Sequence, residues 1–310
     1  MIWVMKDATI IILNYNGQDL LKRFLPSVIA AAKKSPIPTA VWVADNGSSD
    51  ESEDVVSKNK DVVWVPLKHN YGFGRGYNKA IKLCKSDFVV LLNSDIQPAE
   101  NFLKPLITEL EPKDVFATSC KQKVISHNRT YYSGGTLAEW SRGLLRHLPI
   151  FETHKDQIEV CKTFYPDGGA CAVKREMFEQ LGGFSSAFIF YWEDADLGFR
   201  AWKMGWKSLL VPSSMVEHYH ETTISKVVTL NKKQALGFKG MLLFTWRAID
   251  TPSLFLSHLF WLPFHLITAI FDKRLFRWRG LAMAMPSLNM RLEKNNYMKS
   301  TKEVIELSQF

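Results

Sequence analysis

Three short stretches of this 310-residue chain carry side chains whose types and spacing suit chemistry. Asn93-Ser94-Asp95 follows the apolar run Phe88-Val89-Val90-Leu91-Leu92. A carboxylate at such a strand end, beside a small polar residue, can hold a divalent cation against a diphosphate. The same position also suits a turn or helix-capping aspartate. Trp192-Glu193-Asp194-Ala195-Asp196 places three acids at the opening of a helix that contains Arg200. Acids there complement the helix dipole whatever else they do. Beside the aromatic run 188–192 they are expected to be partly desolvated, which raises basicity and suits one of them to act as a general base. His218, in Val216-Glu217-His218-Tyr219-His220, reads either as a structural imidazole or as a ligand for Mn²⁺, with His220 as its rival.

These residues need a frame. Thr9-Ile10-Ile11-Ile12-Leu13 is a β-branched apolar run that ends in Asn14-Tyr15-Asn16-Gly17, the pattern of a buried parallel strand opening into a loop. Residues 18–33 follow as a helix, 40–44 as a second strand stopped by Asp45-Asn46-Gly47-Ser48-Ser49-Asp50, and Asp50 or a neighbouring serine can cap the next helix. Residues 62–66 form a third strand, Gly72-Phe73-Gly74-Arg75-Gly76 leads into a helix, and 88–92 form the fourth strand. Strands alternating with helices predict a doubly wound, mostly parallel α/β sheet, whose ligands bind outside the carboxyl ends of the strands. Beyond residue 115 the rhythm weakens: Gly168-Gly169 turns into a strand near 170–173, helices are expected near 176–181 and 194–204, and a strand at 205–218 leads to His218.

Composition narrows the class. With 46% hydrophobic and 23% charged residues the chain is globular and can bury a sizeable core. Its four cysteines, Cys84, Cys120, Cys161 and Cys171, form no zinc-type pair and read as reduced core thiols. The first residues show no export signal, so a cytoplasmic enzyme is expected. The net charge of +8 resides entirely in the tail: residues 226–310 hold 13 Lys+Arg against 5 Asp+Glu, whereas residues 1–225 are balanced at 26 each. A basic tail rich in Trp, Phe and Leu argues for anionic lipid and against nucleic acid.

Six stretches taken in order resemble the inverting family 2 glycosyltransferases of GT-A fold, most of all the rhamnosyltransferase-like branch that builds bacterial surface polysaccharides. They are Ile11-Ile12-Leu13-Asn14-Tyr15-Asn16, Val43 to Asp50, Asn70-Tyr71-Gly72-Phe73-Gly74-Arg75-Gly76-Tyr77-Asn78, Leu91-Leu92-Asn93-Ser94-Asp95, Gly182-Gly183-Phe184 and Glu193-Asp194-Ala195-Asp196. The resemblance implies a GT-A catalytic domain over 1–225, its donor half about 1–115 and its acceptor half about 116–225. It implies that Asp45 bonds the nucleobase, that Leu13, Asn14 and Asn16 line the nucleotide pocket, and that Arg75, Asn78, Asn93 and Ser94 lie along the donor. Asp95, last residue of the Asn93-Ser94-Asp95 counterpart of the DXD motif, would hold Mn²⁺ or Mg²⁺ with His218 as a further ligand. Asn93 departs from the motif's first Asp, which shifts metal affinity onto Asp95, water and the diphosphate. Asp194 would be the catalytic base, with Trp192, Glu193 and Gly169 toward the acceptor and Asp196 paired with Arg200. The expected partners are a nucleotide-sugar donor and a saccharide acceptor carried on a polyprenyl lipid; a homodimer is allowed.

Residues 253–271 contain no Asp, Glu, Lys or Arg and approach the length of a membrane span. On a helical projection Ser253, Ser257, His258, His265 and Thr268 share one arc of about 140°, leaving a wide apolar face, and Pro263 interrupts the middle. Lys273, Arg274, Arg277 and Arg279 follow at once. The pattern predicts a helix or kinked helix pair lying in the membrane interface, as part of a 226–310 appendage, and places the enzyme peripherally at the inner face of the cell membrane. A helix buried on the catalytic domain or a dimer partner, and a true span, are the alternatives. Two rival functions are weaker. A nucleotide-sugar-binding subunit without turnover would be expected to lose Asp95 or Asp194. A nucleotidyltransferase would be expected to carry a Gly-rich, Lys-containing loop after the first strand, which Asn14-Tyr15-Asn16-Gly17-Gln18 is not.

Overall fold

A computed structural model of the chain describes residues 6–126, 129–154, 156–188, 191–219, 229–288 and 297–309. β1 (Ala8–Asn14), β2 (Thr39–Asp45), β3 (Val62–Pro66) and β4 (Phe88–Asn93) form a parallel group in the order β3-β2-β1-β4. The crossovers are α1 (Gln18–Lys33), α2 (Ser52–Ser57) and α3 (Phe73–Leu83). β1 shows why the run of isoleucines is continuous. Ile10 and Ile12 point to the α1 side and Ile11 to the α3 side, so both faces of the strand are covered.

The sheet then changes direction. β11 (Ala170–Lys174) runs antiparallel between β4 and β6 (Val115–Ser126), and β12 (Lys207–Tyr219) lies parallel to β6. Short strands complete the ten-stranded sheet: β5 (Ile96–Pro98) on β12, β7 (Arg129–Ser133) on β6 and β10 (Cys161–Lys162) at the edge. α4 (Leu103–Leu110), α6 (Arg175–Gln180) and α7 (Glu193–Lys203) pack around this half. Apart from it, β8 (Thr136–Ser141) and β9 (Leu144–Pro149) form a hairpin, followed by α5 (Ile150–Thr153). The hairpin turn needs glycine at Gly143: its φ is +72°, and an added Cβ would lie 2.8 Å from the Ser257 carbonyl oxygen.

The C-terminal helices are α8 (Leu230–Ala248), α9 (Pro252–Phe271), α10 (Phe276–Ala284) and α11 (Thr301–Leu307). They share one core with the hairpin and α7: Leu144, Phe164, Phe199 and Trp202 pack with Phe238, Leu242, Phe244, Ala284 and Val304. Asp196, wholly buried in α7, accepts from Arg200 Nε at 2.7 Å and from Arg247 Nε of α8 at 2.9 Å. Lys203 pairs with Asp250 on the same seam.

α9 runs through Pro263 as one helix rather than as a pair. Hydrogen bonds on either side of the proline hold it to the hairpin turn: His258 Nδ1 to the Gly143 carbonyl at 2.7 Å and His265 Nε2 to the Arg142 carbonyl at 2.8 Å. Ser257 Oγ accepts from Trp140 Nε1. The part of the polar arc from Ser257 to Thr268 thus faces protein, Ser253 at its start being exposed, and the apolar face is turned outward, with Phe260 74% and Phe271 80% exposed. Among the described residues α9 is the one helix long and apolar enough to cross a membrane.

Candidate functional site

The loops after β1 and β2 are tied to each other by amides and hydroxyls. Asp45 ends β2 with its side chain almost wholly buried; Oδ1 accepts from Asn14 Nδ2 and Ser48 Oγ, and Oδ2 from the Gly47 and Ser48 amides. These four bonds fill the acceptor capacity of a carboxylate, so Asp45 organises the loop. Asn16, at φ +50°, accepts from the Ser49 amide and donates its own backbone N–H to Ser48 Oγ. Asp50 joins the same network, accepting from the amides of Gln18 and Ser52, at the openings of α1 and α2.

Glycine lets α3 approach β1. A Cβ at Gly76 would lie 2.9 Å from Leu13 Cδ1, so Leu13 is packed beneath the start of the helix. Asn46 secures that loop by accepting from the Tyr71 amide and donating to the Gly72 carbonyl. Arg75 stands exposed in the first turn of α3. Asn78 is engaged at both ends of its amide by the backbone of Phe184, at 2.8 and 2.9 Å, and so fastens Gly182-Gly183-Phe184 to α3.

At the end of β4, the Asn93 amide donates to the Gly169 carbonyl at 2.9 Å, which brings the Gly168-Gly169 turn onto the Asn93-Ser94-Asp95 edge. Ser94 lies near Gly17 in the first loop: a Cβ there would be 3.7 Å from Ser94 Oγ. Asp95 is nearly buried and meets His218, because β5 pairs with the end of β12 and puts His218 opposite Ile96. His218 Nε2 lies 3.2 Å from Asp95 Oδ1, and Nδ1 is 2.8 Å from Gln122 Oε1. A carboxylate oxygen and an imidazole nitrogen converging on one point, with the second ring nitrogen held by a neighbour, is a donor set that Mn²⁺ accepts. Among the described residues no group of three or more His, Cys, Asp or Glu is placed so that it could hold a metal ion by itself. The pair therefore fits a cation that completes its shell with phosphate oxygens and water. His220, and Ile189 and Phe190 of the aromatic run, lie outside the described residues.

The carboxylates form a second centre. Tyr191 and Trp192 precede α7 with left-handed φ values of 62° and 74°, a costly arrangement for bulky residues that tertiary contacts must hold. Asp194 is half-buried and accepts from the Ala195 amide at 2.8 Å. Burial, reinforced by the negative charges of Glu193 and Asp167, raises its proton affinity well above the ordinary carboxylate range. Burial raises Glu193 too, and its Oε2 has no hydrogen-bond partner among the described residues. Loops close over the pair, since a Cβ at Gly168 would lie 3.0 Å from the Phe73 ring and 3.8 Å from Asp194 Cβ, and one at Gly74 would be 3.8 Å from Glu193 Cβ.

Three members of this centre escaped the sequence reading. Asp167 accepts from the Gly169 amide and so joins the β4 edge to Asp194; its only sequence signal was the Pro166-Asp167-Gly168-Gly169 turn. His147 and Tyr165 form a wall, with Tyr165 Oη 3.2 Å from His147 Nδ1 and the His147 ring 5.1 Å from that of Trp192. Burial drops the His147 pKa to about 4, partly opposed by Asp167, so the ring is neutral near pH 7. The tail completes the wall: Trp192 Nε1 donates to the Gly237 carbonyl at 3.0 Å.

Residues 9–182 match the family model for glycosyl transferase family 2. An N-acetylglucosaminyl-diphospho-decaprenol L-rhamnosyltransferase of Mycobacterium tuberculosis (strain ATCC 25618 / H37Rv) is 27% identical over 240 residues, 68% of this chain and 75% of that protein. The O-antigen chain rhamnosyltransferase WbaN of Salmonella anatum is 27% identical over 230 residues, 71% and 68% of the two chains. Among solved structures, a Pyrobaculum calidifontis mannosyltransferase in complex with GDP-Man and Mn²⁺ superposes with a TM-score of 0.55 at 18% identity, covering 92% of this chain and 76% of that one. GalNAc-T7 with UDP, GalNAc and Mn²⁺ gives 0.61 at 19%, covering 80% of this chain and 49%, about half, of the other. The fold is the GT-A fold expected from the sequence.

Proposed function

The chain belongs to glycosyl transferase family 2, and on that footing we propose that it moves a sugar from a nucleotide-diphosphate donor, dTDP-rhamnose or a UDP-hexose, to a hydroxyl of a polyprenyl-linked saccharide in surface polysaccharide assembly. The rhamnosyltransferase relatives support this substrate class. The observation that carries the chemistry is Asp194, a half-buried carboxylate of raised proton affinity at the carboxyl edge of the sheet.

In this reading the donor diphosphate lies along Asn93, Ser94 and Asp95, and the acceptor enters past Trp192, Glu193 and Gly169. Asp194 accepts the acceptor's hydroxyl proton as that oxygen forms a bond to the anomeric carbon. The carbon–oxygen bond to the diphosphate breaks on the opposite face, its electron pair leaves with the nucleoside diphosphate, and the anomeric centre inverts. Raised basicity strengthens proton capture, and burial, with the neighbouring charges of Glu193 and Asp167, keeps it raised. Asp95 and His218 would hold Mn²⁺ or Mg²⁺, which when bound supplies positive charge against the departing diphosphate. Asp45, Asn14 and Asn16 keep the nucleotide loop in shape. The outward apolar face of α9 and the cations after it support a peripheral site of action at the inner face of the cell membrane.

The test is incubation with a panel of dTDP- and UDP-sugars and a polyprenyl-diphosphate saccharide, with the product's anomeric configuration read by NMR. Metal-dependent transfer with inversion is the expected result. Donor binding without transfer would instead favour a non-catalytic nucleotide-sugar-binding subunit.

A further inference from the structure

Beside Trp192 an open cavity of about 310 Å³ runs between β9, α8 and α10, and Arg146 and Arg277 line it. A second cavity of about 640 Å³ shares Gln234 and Phe276 with the first and carries Lys273, Arg274 and Arg279. Among the described residues none of these five cations forms an ion pair with a carboxylate, and the buried Nε of Arg146 has no hydrogen-bond partner. Arg277 donates to the His265 carbonyl at 3.2 Å, which holds it at the end of α9. Burial lowers the proton affinity of Arg277, and the like charges of Arg274 and Arg146 add to this, partly opposed by Asp272. Asp272 offsets part of the charge on Arg277, and Glu139 lies across the β8–β9 ladder from Arg146, but five cations outnumber these two acids. Partly desolvated guanidinium groups in excess are costly unless an anion completes them, and their fork geometry matches phosphate oxygens.

What adjoins the cations identifies the anion. On one side Trp192 lies two residues from Asp194; on the other, Phe271, last residue of α9, is separated from the cations Lys273 and Arg274 by Asp272 alone, and behind it Ile270, Ile267 and Phe260 are exposed. The order along the surface is therefore a carboxylate, a cationic cavity and an apolar helix face. An amphiphile with a sugar hydroxyl, a diphosphate and a hydrocarbon chain has the same order. We propose that Arg146 and Arg277, with Lys273, Arg274 and Arg279 at the mouth, bind the diphosphate of a prenyl-linked acceptor whose hydrocarbon lies along α9. This rests on the glycosyl-transfer reading for the role of Asp194, but the binding site stands apart from turnover.

The experiment is titration of the full chain with farnesyl diphosphate in EDTA, which keeps divalent cations out of the Asp95–His218 site, followed by tryptophan fluorescence because Trp192 lines the cavity. Wild type should bind, Arg146→Gln and Arg277→Gln should each weaken binding at least about tenfold, the scale of one charge-assisted hydrogen bond, and Arg277→Lys should recover part of it. Inorganic pyrophosphate should bind more weakly than the prenyl compound. Equal affinity of wild type and both glutamine variants, with native circular dichroism, would overturn the proposal. So would arginine variants that lose binding to phosphatidylglycerol vesicles while keeping farnesyl diphosphate, since the cations would then serve a phospholipid headgroup. A wild type that binds the probe but transfers no sugar would sink the glycosyl-transfer reading and leave the anion site standing.

Discussion

Trp192 Nε1 donates to the Gly237 carbonyl at 3.0 Å, fastening the residue two before Asp194 to α8. The indole also lies against Gly240, where an added Cβ would be 2.5 Å from Trp192 Cδ1. Through this contact the C-terminal helices brace the left-handed turn that presents the carboxylates.

Gly240→Leu should therefore damage the site from outside it. Overpacking there is expected to cost about 1–3 kcal/mol and to lower kcat while donor affinity holds. Gly237→Ala has open space for its Cβ and serves as the control, neutral or stabilising by up to about 1 kcal/mol. Thermal unfolding and steady-state kinetics on both variants check this.

Asp196→Ala should be among the most damaging substitutions for stability. It leaves the guanidinium groups of Arg200 and Arg247 buried without their shared carboxylate, at a cost of about 3–5 kcal/mol by denaturant unfolding. A loss below about 1 kcal/mol would show that the triad does not join α7 to α8 energetically.

The first half of the fold was legible because its strands are covered on both faces, as the alternating packing of Ile10, Ile11 and Ile12 shows, and its loops end in recognisable polar clusters. Residues 115–165 were not. β7 is exposed along most of its length, β6 finds its partner β12 some ninety residues later, and the β8–β9 hairpin packs against α8 and α9, so no local period marks them. Asp95, Asp194 and His218 stood out by type and position. Asp167 did not, because an aspartate before two glycines reads as a turn, and its second role emerges only when β11 enters beside β4. For α9 the sequence revealed two faces without saying which one meets protein; the histidines decide that by bonding to the turn at Arg142 and Gly143.

Gln122 orients His218, which with Asp95 is proposed to hold the cation, without itself being a ligand. Gln122→Leu should raise the Mn²⁺ concentration for half-maximal activity about 10- to 100-fold, the usual effect of losing an orienting partner, and Asp95→Ala should raise it further. Activity against titrated Mn²⁺, after EDTA treatment and dialysis, measures both.

The raised proton affinity of Asp194 has two pH consequences. As the proposed base, Asp194 must be ionised, so kcat/KM should climb through an inflection above the ordinary carboxylate range, and Glu193→Gln should lower that inflection by removing a neighbouring charge. For stability the folded state holds the proton more tightly than the unfolded one, so wild type should lose stability as pH rises from the unfolded toward the folded pKa. Asp194→Asn should then be more stable than wild type near neutral pH and lose that advantage in acid, as urea unfolding at several pH values would record.

The most direct test of the account is single-turnover transfer to a lipid-linked saccharide by wild type and Asp194→Asn, with donor binding measured on the same samples. The account predicts a fall in the transfer rate of about 10²- to 10⁴-fold with donor affinity unchanged. Transfer at the wild-type rate by Asp194→Asn would contradict it and move the base to another carboxylate of the centre.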